Sequence, residues 1–509
     1  MKNQPSLEPI SRRNLLRTAS LGAAAFACSS PVAKKRPNIL MLMSDQHRGD
    51  CFGADGNRAV STPSLDRLAA EGARFRCAYS STPSCTPARA ALLTGQSPWR
   101  HGMLGYGQVA ERYPVEKPRA LREAGYHTAG IGKMHWHPQR NLHGFHSVQL
   151  DESGRAQSPE FVSDYRQWFA QEAPDLDPDA TGIGWNDYRA KRYVLPERLH
   201  PTTWTADRAV DFLRDYSQPE PFFLKVSFAR PHSPYDPPQR FMDQYADESL
   251  PEAQAGQWAE RYRERSDDSF NIWHGDLGGE QVRQSRQGYY GSVSFIDEQI
   301  GRILEALDQR GELDETLILY FSDHGDMTGD QHLWRKCYAY EPSARIPMLI
   351  RWPTGLVAAE RGQVLNNPVE IRDVLPTLLD AAGQGERDDM DGRSMLGLLR
   401  TAEPSWRKYI DLEHSICYSP KNHWTALTDG NTKYIFHALD GEEQLFDLAG
   451  DPHERNDLAG DASDESTLRL WRSRMIEHLG ERGEPFVKSG RLMTRPERFL
   501  YSPHYPEPA

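Results

Sequence analysis

Ile39-Leu40-Met41-Leu42-Met43, followed at once by Ser44-Asp45-Gln46-His47-Arg48, decides the fold. A short unbroken apolar run after Pro37 is what a strand buried on both faces requires, and such strands belong to parallel sheets. Three further stretches repeat the pattern. Thr128-Ala129-Gly130-Ile131 leads to Gly132-Lys133-Met134-His135, and Phe222-Phe223-Leu224-Lys225-Val226-Ser227-Phe228 leads to Arg230-Pro231-His232-Ser233-Pro234. Leu317-Ile318-Leu319-Tyr320-Phe321 leads to Ser322-Asp323-His324-Gly325. Each apolar run ends in charged or imidazole side chains. Ligands in open parallel sheets bind beyond the carboxyl ends of the strands, so these segments are expected to converge on one site.

Between the strands, helix signals alternate. Thr62-Pro63 reads as a helix start, with Leu65, Leu68 and Ala69 facing inward and Gly72 as the stop. The expected architecture is α/β, a large mixed, mostly parallel sheet flanked by helices over residues 34–390. Residues 151–215, rich in Pro, Asp and aromatics, read as a long excursion from that sheet. Beyond Gly392 the runs shorten to Trp424-Thr425-Ala426-Leu427 and Lys433-Tyr434-Ile435-Phe436, and a turn near Gln444–Leu448 precedes a polar helix. A smaller C-terminal α+β domain with an antiparallel sheet is expected over 391–509.

A chain of 509 residues accommodates both units. Its 60 Lys and Arg stand against 72 Asp and Glu, a net charge of −12, with no long basic block after the first residues. Nucleic acid is therefore excluded as a partner, since a duplex binder needs a basic face. No apolar run approaches the length of a spanning helix. Six cysteines without a C-x-x-C pair do not make a disulfide framework, and most read as buried small residues.

Residues 1–33 read as a leader. Ser11-Arg12-Arg13-Asn14-Leu15-Leu16 sets two arginines before the weak apolar stretch Leu21–Ala27, which resembles a bacterial twin-arginine export signal. Ala25-Phe26-Ala27-Cys28 matches a lipoprotein cleavage site in part, although the usual Leu is missing three residues before the Cys. The expected location is outside the cytoplasm, in the periplasm or as a membrane-anchored lipoprotein.

Cys85-Thr86-Pro87-Ala88-Arg89-Ala90-Ala91-Leu92-Leu93-Thr94-Gly95 carries the most chemistry. Pro87 suits the first turn of a helix that Gly95 ends, which puts Cys85 at a helix N-terminus where free N–H groups favour an anion. On these grounds alone the segment is an activated thiolate, an anion site or a buried inert cysteine. Cys85-x-Pro87-x-Arg89 with Leu93-Thr94-Gly95, however, resembles the signature of the formylglycine-dependent sulfatases, a branch of the alkaline phosphatase superfamily. The resemblance runs in order from about residue 36 to about 460. It continues through Asp45-Gln46, Gly132–His135, Pro231-His232-x-Pro234, Asp323-His324-Gly325, Lys336, Asp373–Leu379, Asp391-Gly392-x-Ser394 and Leu445–Leu448 with Asp451, Pro452 and Glu454.

The resemblance implies an alkaline-phosphatase-like fold and a sulfuric ester hydrolase whose Cys85 is oxidised to formylglycine by a formylglycine-generating enzyme. A hydrated aldehyde attacks with one hydroxyl, and the other then expels sulfate by reforming the aldehyde, which splits one hard displacement into two easier ones. It implies one divalent cation held by Asp45, Gln46, Asp323, His324 and the modified Cys85. Oxygen ligands favour Ca²⁺, with Mn²⁺ as the alternative that the imidazole allows. Arg89 and Lys133 would orient the formylglycine oxygens, and His135 would take a proton from the second hydroxyl. His232 and Lys336 would hold sulfate oxygens, with His232 as proton donor to the leaving alcohol.

This chain departs from the family where Gln46 and His324 replace a common Asp and Asn, and where Gln331 stands in place of a frequent His. The Asp-Gln pair also resembles the phosphonate monoester and phosphodiester hydrolases, the alternative activity on the same scaffold. A silent binder of sulfated glycans is a third reading, but a binder has no need of the Cys85 motif. The expected substrate is a sulfated carbohydrate, with aryl or choline sulfates as alternatives, recognised by residues 151–215 and the C-terminal domain. His135, His137, His143 and His146 lack zinc-site spacing. His414 and Cys417 are expected to pack ordinarily.

Overall fold

Ile39–Met43 forms the middle of β1 (Asn38–Asp45), in which every residue after Asn38 is buried. The computed structural model describes residue 1 and residues 36–246, 250–400 and 405–506; the leader expected at 1–33 lies almost wholly outside them. The strands that follow are β2 (Ala73–Phe75), β3 (Ala78–Tyr79), β4 (His127–Gly132), β5 (Ser147–Leu150), β6 (Phe222–Pro231), β7 (Thr316–Ser322), β8 (Met348–Arg351), β9 (Gln363–Leu365) and β10 (Val369–Glu370). β3 and β10 pair with each other, and the rest join β1 in one eight-stranded sheet ordered β5-β4-β6-β1-β7-β8-β2-β9.

From β5 to β7 neighbouring strands are parallel. β8 is antiparallel to both β7 and β2. The sheet is thus mixed and mostly parallel, as expected. Alternate residues of β1 enter opposite cores, because successive side chains of a strand point to opposite faces. Leu40 and Leu42 pack with Ala206, Ala209, Leu213, Ile300 and Ile303 of the helices Pro201–Asp215 and Gly279–Gln309. Ile39, Met41 and Met43 share the other core with Leu92 and Leu93 of the helix Cys85–Thr94 and with Leu375 and Leu378 of Val374–Ala381. Both faces are covered, which is why β1, β6 and β7 are buried along nearly their whole lengths.

The helix expected after Thr62 runs Pro63–Ala70 and buries Leu65, Leu68 and Ala69. The excursion is shorter than expected. Its last part is the helix Pro201–Asp215, which starts where the His200 side chain accepts from the Thr202 N–H and Pro201 takes the first position.

The C-terminal sheet is β11 (Ile410–His414), β12 (Trp424–Thr428), β13 (Thr432–His437) and β14 (Glu443–Asp447), antiparallel in chain order. Leu427, Tyr434 and Leu445 pack on Leu468, Trp471 and Met475 of the helix Glu465–Gly480. On the other face Ile410, Leu412, Trp424 and Phe446 meet Met327, Leu333, Tyr338 and Tyr340. The small sheet therefore buttresses the chain that leaves β7, and Pro37–Ala509 is one compact unit. No described helix is long and apolar enough to cross a membrane.

Candidate active site

Four adjacent parallel strands end on one edge. Asp45 closes β1, Lys133 follows β4, His232 follows β6, and Asp323 and His324 follow β7. The helix Cys85–Thr94 brings Cys85 to the same point as its first residue, with Ser84 as the N-cap and Gly95 left-handed at the other end. Ligand atoms of Asp45, Cys85, Asp323 and His324 lie within 4.8 Å of one another, and all four residues are buried. His324 Nδ1 donates to the Gly325 carbonyl at 2.9 Å, which turns Nε2 toward Cys85 Sγ at 3.2 Å. Two carboxylates, an imidazole nitrogen and residue 85 on one centre form a donor set suited to a divalent cation.

Gln46 lies beside that set, with its amide oxygen turned toward Lys336. Its side-chain nitrogen donates to the Asp326 carboxylate, which also takes the Tyr235 hydroxyl. Asp326 accepts in addition from the Thr328 N–H at 3.0 Å and the Arg335 N–H at 3.1 Å. A carboxylate has no proton to offer, so it fixes the amide with nitrogen toward Asp326 and Oε1 toward the centre, where Lys336 Nζ lies 3.0 Å away.

Three cations surround the acids. Arg89 donates to Asp323 at 3.0 Å, Asp45 at 3.1 Å, the Lys133 carbonyl at 2.6 Å and Ser227 Oγ at 3.2 Å. Lys133 Nζ pairs with Asp45 at 2.5 Å. Lys336 Nζ lies 3.2 Å from Cys85 Sγ and donates to His232 Nε2 at 2.7 Å, while His232 Nδ1 meets the Ser233 carbonyl at 2.8 Å. Burial works against the Asp45 carboxylate, but Lys133, His232, Arg89 and His324 together hold it well below the usual range. Burial and Asp45 push the Cys85 thiol up, yet Lys133, Lys336 and His324 outweigh them and bring it down to about 7. Burial, with Lys336 and Lys133 nearby, keeps His232 well below the usual imidazole value.

Asp45, Gln46, Cys85, Arg89, Lys133, His232, Asp323, His324 and Lys336 thus form one network of direct contacts. His135 is buried beside it at φ 59°, its Nε2 3.5 Å from the Tyr106 hydroxyl and its Nδ1 without a hydrogen-bond partner among the described residues. Both Met134 and His135 N–H groups donate to Glu152, at 3.0 and 2.8 Å, and shape that turn.

Several contributors escape a sequence reading. Trp185, inside the excursion, stacks on His232 at 3.8 Å between ring centres, with Lys133 Nζ 4.5 Å from its ring. Only its aromatic character within that Pro- and Asp-rich stretch marks it in the sequence. Asp326 had a better signal, as the next acid after Asp323-His324-Gly325. Gln331 turns away from the centre, accepting from the Gly256 N–H at 2.8 Å and donating to the His453 carbonyl at 2.7 Å. His137, His143 and His146 bond separately to Gln157, Glu116 and Thr128. His414, expected to pack ordinarily, reaches the N-cap of the helix that carries Cys85 instead, with Nε2 2.9 Å from Ser84 Oγ.

Comparison with known proteins agrees with this geometry. The sulfatase family model matches residues 37–384, and the model "N-sulphoglucosamine sulphohydrolase, C-terminal" matches residues 329–480. The chain is 39% identical over 471 residues to an arylsulfatase of Clostridium perfringens, covering 90% of this chain and 97% of that one. It is 34% identical to a choline-sulfatase of Rhizobium meliloti, covering 87% of each. Among solved structures, a phosphonate monoester hydrolase of Agrobacterium radiobacter superposes with a TM-score of 0.74 at 25% identity, over 90% of this chain and all of that one. The fold and the strand-end cluster define an alkaline-phosphatase-like hydrolase. Within that class the chain belongs to the sulfatase family, and its activity is the hydrolysis of sulfate esters.

Proposed function

We propose that this sulfatase removes a sulfate monoester from a sulfated carbohydrate, outside the cytoplasm, using a formylglycine made from Cys85 and one divalent cation. The observation that carries the reading is the buried meeting of Asp45, Cys85, Asp323 and His324 within 4.8 Å. The glucosamine-sulfatase character of the C-terminal match favours a saccharide, and the twin-arginine pattern of the leader favours export, with lipidation of Cys28 as its anchored form. Ca²⁺ fits the oxygen-rich donors, with Mn²⁺ as the alternative.

Asp45, Gln46, Asp323, His324 and residue 85 would hold the cation, which supplies positive charge for the sulfate oxygens. Formylglycine, installed by a formylglycine-generating enzyme, supplies a hydrated aldehyde with a hydroxyl nucleophile and a second hydroxyl that regenerates the aldehyde. The chain's own groups do the rest. Arg89 and Lys133 clamp Asp45 and steady residue 85, and His135, with a free Nδ1, takes the proton released when the aldehyde reforms. Lys336 presents its ammonium to the sulfate oxygens, and a proton it passes to His232 Nε2 is delivered to the departing alcohol. Trp185 walls the leaving-group side and offers a flat face to a sugar ring.

The test is mass spectrometry of the tryptic peptide 77–89 from protein made in the native host, with hydrolysis of a nitrophenyl sulfate and a sulfated glucosamine measured on the same sample. An aldehyde at residue 85 with turnover of both esters is expected. An unmodified thiol in turning-over enzyme contradicts the mechanism. The second reading, a phosphonate monoester or phosphodiester hydrolase, draws on the neutral Gln46 and the shape match to such an enzyme.

A further inference from the structure

Behind Lys336 lies a second cluster that the sulfatase reading does not use. Cys337 is buried and Cys417 partly exposed, with their sulfurs 3.1 Å apart across 80 residues of chain. We propose that Cys337 and Cys417 are joined as a disulfide in the exported enzyme, tethering the loop that carries Lys336 to the segment after β11. The proposal rests on the export reading above, since disulfides persist in oxidising compartments.

The geometry separates a disulfide from the other use of such a cluster. Cys337, His414 and Cys417 have ligand atoms close enough to hold a metal. Two thiolates on one tetrahedral Zn²⁺, each at about 2.3 Å, sit roughly 3.8 Å apart, wider than the spacing here. His414 is committed as well, with Nδ1 2.6 Å from the Ser415 carbonyl and Nε2 2.9 Å from Ser84 Oγ. The sulfurs need to close by about 1 Å to reach a bond of about 2.05 Å.

The tether has something to hold. Between Thr328 and Cys337 five non-glycine residues, Thr328, Gln331, His332, Arg335 and Cys337, have left-handed φ. Such a backbone persists only where its surroundings impose it. Cys337 is pinned on both sides, its N–H donating to the Pro83 carbonyl at 2.9 Å and its carbonyl accepting from Trp424 Nε1 at 3.0 Å. A bond to Cys417 adds a covalent restraint one residue from Lys336.

The chemistry is balanced thiol–disulfide exchange. The hydrogen bond with Cys337, helped by Arg335 and Lys336, holds the Cys417 thiol below its ordinary value, while burial pushes Cys337 up. Cys417, the more exposed thiolate, attacks the disulfide of a protein or small-molecule oxidant and releases one thiolate. Cys337 then loses its proton to water, attacks the mixed disulfide at Cys417 and releases the second. Two thiols are oxidised and one disulfide is reduced.

The test uses full-length enzyme isolated from the exported fraction, unfolded with N-ethylmaleimide and no reductant, then digested with trypsin. Peptides 337–345 and 409–421 are expected as one linked species, lighter by two hydrogens than their sum and separated by reductant. A parallel sample is first incubated with oxidised glutathione. If both thiols carry maleimide even then, or if stoichiometric zinc shields them, the pairing is wrong. Thiols free in the exported enzyme overturn the proposal even if glutathione then links them, whereas enzyme found only in the cytoplasm overturns the export reading instead.

Discussion

The two sides of this active site are built differently. Asp45, Lys133, His232, Asp323 and His324 stand at or just beyond the ends of four parallel strands, where sheet register fixes them to one edge. Lys336, Asp326 and Trp185 come from loops, and tertiary partners far away in sequence hold them. Lys336 reaches Gln46 and Asp326 reaches Tyr235, and Trp185 lies on His232. In the proposed mechanism, groups on strand ends place the nucleophile and cation. Groups on loops set orientation and fit, so the two sides are expected to fail differently when altered.

The largest effect belongs to the rigid side. Cys85→Ala should lower turnover of an aryl sulfate by about 10⁵-fold or more, because the nucleophile is lost outright. One small buried residue replaces another, so the melting temperature should stay within about 2 °C of the parent, as ΔΔG well under 1 kcal/mol would give. Substantial remaining activity would break the comparison at its root.

Next come the acids. Asp323→Asn removes a ligand charge and should weaken cation binding, read by competition with a fluorescent chelator, by more than Asp326→Asn does. The loop carboxylate acts only through the Gln46 amide, so its loss should cost about 10-fold to 100-fold in affinity, the range for groups behind the ligands. Equal losses would show that the loop side is as deeply involved as the strand side.

The smallest effect is expected at Trp185. Trp185→Ala should raise KM for a sulfated saccharide by about 10-fold with kcat within about threefold, since aromatic stacking contributes roughly 1–1.5 kcal/mol. A collapse of kcat instead would mean the indole positions His232 rather than the substrate.

The same division decides what was legible. The strand-end groups were readable because each apolar run stops at them, and the Cys85 motif named the helix that meets them. Gln46 stands beside Asp45 in the sequence, but its orientation is not legible there, because Asp326, itself held by Tyr235, reaches it only after folding. Trp185 carries no local pattern at all. The excursion is shorter than its sequence suggests because Pro201–Asp215 begins among the same Pro and aromatic residues that suggest a loop, and its buried face is legible only once β6 lies beneath it.

The most direct test of the central claim sets two esters side by side on matured enzyme, a nitrophenyl sulfate and the matching nitrophenyl phosphate diester. Both carry one negative charge, so charge alone cannot separate them. A diester brings a second substituent where sulfate has bare oxygens, and in the proposed binding mode that substituent would cost Lys336 and His232 an oxygen partner. The account predicts a kcat/KM for the sulfate higher by about two orders of magnitude or more, roughly 2.7 kcal/mol in transition-state binding. A preference for the diester would contradict it and make Gln46 the residue that sets the reaction.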